Sequence, residues 1–126
     1  MDVQYLVVHC SDTPNDREVS AAEIHSWHKN NGWDGIGYHA VIRRDGKLEG
    51  GRPSYWPGAH VRGHNSKSLG VCLVGRDQFT EDQMLMLSQV LAAWERRYPN
   101  AEVVGHRDLD SRKTCPNFDV RAWWKG

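Results

Sequence analysis

The seven residues Leu69 to Gly75, LGVCLVG, constrain this chain more than any other stretch. Neither a charge nor an alternation of apolar and polar residues interrupts them, so both faces of a strand built from them need cover. Such a strand belongs in the middle of a sheet. The segment Gln4 to His9 contains the unbroken β-favouring run Tyr5-Leu-Val-Val8, and Val103-Val104 offers a shorter third example. The cover is announced by two capping boxes, Ser20-Ala-Ala-Glu23 and Thr80-Glu-Asp-Gln83. The first opens a helix of about three turns, with Ile24, Trp27 and His28 on one face and Gly32 as its stop. Behind the second, Met84, Leu87, Val90, Leu91 and Trp94 recur at helical spacing until Pro99 ends the run. Asp45-Gly46 predicts a hairpin between Tyr38–Arg43 and Lys47–Gly50, and Phe118 to Trp124 a terminal helix. The expected class is α/β, a central mixed β-sheet flanked by helices.

With 126 residues, a single domain over 1–126 is expected. Sixteen basic residues balance sixteen acidic ones and no basic block stands out, which gives no electrostatic case for nucleic acid or an anionic membrane. No run approaches the roughly 18 apolar residues of a membrane span. MDVQYLVVHC lacks the basic flank, apolar length and cleavage site of a secretory signal, and three cysteines suit a reducing cytosol better than a disulfide framework. The expectation is a cytoplasmic protein with no nucleic-acid partner and no membrane insertion, and a monomer.

The segment Gly105 to Pro116, GHRDLDSRKTCP, gathers a histidine, a lysine and a cysteine among further charges. His9 and His106 each stand at the C-terminal end of an apolar strand, where sheets of this class place ligands and metals. Cys115 lies in the loop leaving the second of these strands. If the two strands are close, His9, His106 and Cys115 converge as two imidazoles and a thiolate, a donor set that suits zinc with water in the fourth position. The competing reading is that the histidines only cap strands and Cys115 is a small loop residue. Cys10 neighbours His9 on a strand and points to the other face. Cys72 reads as a buried small hydrophobe, and His25 and His28 as packing or solvated residues on the first helix. Beside a zinc site, the phenol of Tyr38 and the ammonium of Lys113 are donors able to stabilise an oxyanion; without one they are ordinary surface groups.

In order along the chain, VVHCS, HSWHKNNGWDGIGYH, VIRRDGKLEGGR, GAHVRGHNSKSLGVCLVG and GHRDLDSRKTCPNFD resemble the zinc-dependent N-acetylmuramoyl-L-alanine amidases. The likeness runs from about Leu6 to Trp124 and is greatest to the T-seven type of phage lysozyme, with the peptidoglycan recognition proteins more distant. The resemblance implies zinc ligands at His9, His106 and Cys115, catalytic roles for Tyr38 and Lys113, and groove positions for His60 and Asn65. It implies a peptidoglycan or muropeptide substrate, cut at the amide between N-acetylmuramic acid and L-alanine by an endolysin held in the cytoplasm until its release to the wall. Alternatives are a non-catalytic peptidoglycan-binding module and a cytosolic amidase recycling muropeptides. Arg107 and Asp108 are expected to hold the loop. Against the phage relatives, the segment from His106 to Cys115 is one residue longer. The N-terminal extension that contacts RNA polymerase in the T-seven type enzyme has no counterpart, so that partnership is not carried over.

Overall fold

The computed structural model describes residues 2–125. Strands β1 (Tyr5–Cys10), β2 (Ala40–Ile42), β3 (Leu48–Gly50), β4 (Ser68–Leu73) and β5 (Glu102–Gly105) form one sheet in the order β3-β2-β4-β1-β5. β1 is parallel to both β4 and β5, and β2 to β4, while β2 and β3 make the antiparallel hairpin. All six residues of β4 are buried, as the LGVCLVG run requires. Alternation along β1 sends Leu6 and Val8 to one face, where Leu87 and Leu91 of helix α2 (Glu81–Arg97) and Val120 of α4 (Val120–Lys125) cover them. On the other face, α1 (Ala21–Asn30) lays Ala21 and Ile24 against Val41, Cys72 and Val74. Val7, Val61 and Val104 make a smaller cluster there, with Tyr5 and Leu109 packed against it. This second face, beside α1, is the one that carries the site.

Both capping boxes form: Ser20 Oγ accepts from the Glu23 N–H and Thr80 Oγ1 from the Gln83 N–H. Gln83 also welds α2 to the sheet, since its buried Nε2 donates to the carbonyls of Val74 (2.8 Å) and Ile42 (3.3 Å). Expected boundaries move by one or two residues, and at two starts the cause is visible. The β2 strand begins at Ala40 rather than Tyr38, because the carbonyls of Gly37 and Tyr38 accept from Ala59 and Arg52 in the following loop. The terminal helix begins at Val120 rather than Phe118, because Asp119 Oδ1 accepts from the Ala122 N–H and caps it there.

Candidate active site

The parallel pairing of β1 with β5 runs from Tyr5↔Glu102 to Val8↔Gly105. One residue further along each strand are His9 and His106, side by side at the C-terminal edge with ring centroids 4.6 Å apart. The one-turn helix α3 (His106–Leu109) then leads the chain away from the edge. Asp108 Oδ2 accepts from the Gly105 N–H at 2.8 Å, and the Arg107 N–H donates to the Cys115 carbonyl at 2.9 Å. The second bond closes the segment and returns Cys115 to His106. Its length is taken up in a turn where the Asp110 carbonyl accepts from the Lys113 N–H. As a result the donor atoms of His9, His106 and Cys115 all lie within 4.8 Å of one another. Tetrahedral zinc, with bonds of about 2.0–2.3 Å, separates its donors by about 3.3–3.8 Å, a spacing that side-chain rotation can reach from here.

The protonation states suit a cation. Burial, then the neighbouring histidines His60, His106 and His39, hold the His9 pKa well below its usual value. Burial, then the Lys113 ammonium, lower that of His106. Both imidazoles are therefore neutral at pH 7, as ligands must be. A hydrogen bond with the Cys10 side chain, then burial, raises the pKa of the Cys115 thiol. Its thiolate form accordingly needs a positive ion beside it, and the Cys10 N–H, 2.9 Å from Cys115 Sγ, is ready to donate to that thiolate. Cys10 itself is buried and does not join the three converging donors.

These residues open onto a groove of about 940 Å³ whose lining includes Tyr38, His60, Asn65 and Lys113. The Tyr38 ring centroid is 5.1 Å from that of His9, and burial first, then the cysteines around it, keep the phenol protonated. Lys113 is exposed on the rim. The lining carboxylates Asp12 and Asp110 are each held by an arginine, Arg76 at 2.9 Å and Arg112 at 3.0 Å, and the Arg112 bonds pull Asp110 down to about 2. Both ring nitrogens of His60 are engaged, Nδ1 with His9 Nε2 (2.8 Å) and Nε2 with Ser68 Oγ (3.3 Å). Asn65 Oδ1 accepts from the backbone N–H groups of His60 and Val61. His25 and His28 accept through Nδ1 from the Ile36 and Gly37 N–H groups and so shape the approach to Tyr38. Sequence reasoning passed over the Cys10 backbone donor, Ser68 and His39, whose Nδ1 accepts from the Gly70 N–H. A backbone donor has no sequence signature, and the serine and histidine stand in no chemical motif.

A sheet of this topology with two histidines and a cysteine converging beside an open groove is a candidate metal centre able to serve a hydrolase. Residues 1–118 match the family described as N-acetylmuramoyl-L-alanine amidase. The endolysin of Klebsiella phage KP32 is 41% identical over 132 aligned positions, which cover 98% of this chain and 87% of that protein. The N-acetylmuramoyl-L-alanine amidase LysC from Clostridium intestinale URNW superposes with a TM-score of 0.87 at 28% identity, covering 97% of this chain and 81% of its own. Drosophila PGRP-LB shares the fold, with a TM-score of 0.82 at 24% identity over 97% of this chain and 79% of its own. The chain belongs to the N-acetylmuramoyl-L-alanine amidase family. It is accordingly a peptidoglycan hydrolase that cuts the amide between N-acetylmuramic acid and L-alanine.

Proposed function

We propose that this amidase is a zinc enzyme of the endolysin type, held in the cytoplasm and released to the cell wall, where it acts on intact peptidoglycan. The observation that carries the zinc reading is the convergence of two neutral imidazoles and one thiol at the wall of an open groove. When bound, zinc supplies a Lewis acid that polarises a carbonyl and lowers the pKa of water to about 7. His9 and His106 offer lone pairs because burial keeps them unprotonated. Lys113 brings an ammonium to the oxyanion that develops as the amide carbon becomes tetrahedral, a contribution of about 3 kcal/mol. Tyr38 keeps its proton and donates a hydrogen bond, orienting the attacking water or meeting the leaving amine. Asp12 and Asp110 are neutralised by their arginines, so we assign neither the role of general base. His60 and Asn65 belong to the wall against which the substrate lies.

Metal analysis paired with a lytic assay tests this reading. Cys115→Ser and His9→Ala proteins are expected to lose both zinc and the clearing of wall suspensions. A Lys113→Ala protein is expected to keep its zinc while kcat falls about 10²–10³-fold. Full lysis by a zinc-free Cys115→Ser protein would overturn the zinc site, and loss of zinc from Lys113→Ala would make Lys113 structural. Zymography separates wall lysis, which requires activity on intact sacculi, from recycling, which requires activity on soluble muropeptides alone.

A further inference from the structure

His60 sits in a slot shaped for its ring. A Cβ added at Gly70 would stand 2.7 Å from His60 Nδ1, and one added at Gly58 would stand 2.3 Å from its Cδ2. Neither glycine has the positive φ that would explain its presence by backbone conformation. Two positions in the fold are thus given over to clearance around one imidazole. Asn65 fixes the same residue from behind, its Oδ1 accepting from the His60 N–H at 2.8 Å.

Counting protons along the chain of contacts gives the ring a definite tautomer. Ser68 Oγ lies 2.8 Å from the His64 carbonyl, which can only accept, so the hydroxyl proton goes there. Towards His60 Nε2, at 3.3 Å, Ser68 Oγ is then the acceptor, and Nε2 carries the proton. The neutral His60 ring is left with an unprotonated Nδ1, which faces His9 Nε2 at 2.8 Å. His9 must therefore donate from Nε2, and its lone pair is on Nδ1.

We propose that His60 is a positioning residue for the metal site: through the relay His64 carbonyl, Ser68, His60, it fixes His9 as the tautomer that presents Nδ1 to the cation. This rests on the zinc reading above. Hydrogen-bond partners of ligating imidazoles set ring orientation and ligand basicity, and losing one typically weakens metal binding about 10–100-fold. Nitrogen-15 NMR of the histidine rings in the full chain should find both His9 and His60 protonated at Nε2 and bare at Nδ1. A His9 ring protonated at Nδ1 overturns the proposal, and this measurement needs no substitution. Zinc affinity, read by competition with a chromogenic chelator, should fall about 10–100-fold in His60→Ala. It should largely recover in His60→Asn, whose amide can return an acceptor to the place of Nδ1. Unchanged affinity in His60→Ala, or equal loss in both variants, overturns the positioning role while leaving the zinc site intact. A wild-type chain that takes up no zinc overturns the zinc reading itself.

Discussion

In the proposed zinc site Cys115 serves as an anionic donor although the Cys10 hydrogen bond and burial favour its neutral thiol. Its two partners, His9 and His106, are already neutral. Zinc uptake at pH 7 should therefore release one proton from the thiol and up to one more from the bound water, whose pKa falls to about 7, and none from the imidazoles. Calorimetric titration in buffers of different ionisation enthalpy measures that number; release of more than two would mean that an imidazole was protonated beforehand. In the proposed mechanism Tyr38 acts through a proton it keeps, so Tyr38→Phe should bind zinc as the wild type does while the rate of single-turnover hydrolysis falls about 100-fold or more. At this scale the meeting of His9, His106 and Cys115 was legible from two histidines ending apolar strands and a cysteine in the adjoining loop. The engagement of His60 was not, since it depends on where one serine hydroxyl sends its proton.

Among the elements, α2 depends on one glutamine. Gln83 is fully buried, caps the helix by accepting from the Thr80 N–H, and satisfies the carbonyls of Ile42 and Val74 at the ends of two strands. A Gln83→Met protein keeps the volume and loses all three bonds. Urea denaturation should show it about 1–3 kcal/mol less stable, and a smaller effect would mean that water replaces the amide. The capping box that revealed this helix did not reveal its glutamine's reach into the sheet. Local signals also fixed the hairpin turn and the stop of α1, at Gly32 with φ +86°. They misplaced the starts of β2 and α4, where a carbonyl is taken by a distant loop or an aspartate caps later than the apolar pattern suggests. In those places tertiary hydrogen bonding outranks periodicity.

For the whole molecule, the sequence indicated a mixed sheet and its covering helices, but not the strand order. That β5 lies against β1 is a pairing across most of the chain, and no local pattern carries it. The same pairing joins the two halves of the site. The fold also buries histidines uncharged: burial lowers the pKa values of His9 and His39, and takes His60 down to about 3. The unfolded chain binds protons at these residues below about pH 6.5, and the folded chain refuses them. Stability is thus complete above that pH and falls as the medium is acidified towards pH 3, by about 1.4 kcal/mol per pH unit for each refused proton. A urea midpoint that stayed level from pH 7 to pH 4 would contradict this. The most direct test of the central claim is mass spectrometry of purified sacculi digested by the wild-type chain, with and without a zinc chelator. The expected products are stem peptides with a free L-alanine amine and glycan strands whose muramic acids bear a free lactyl carboxylate, both lost with the chelator. New reducing sugar ends, or the same amide products formed at full rate in the chelator's presence, would contradict it.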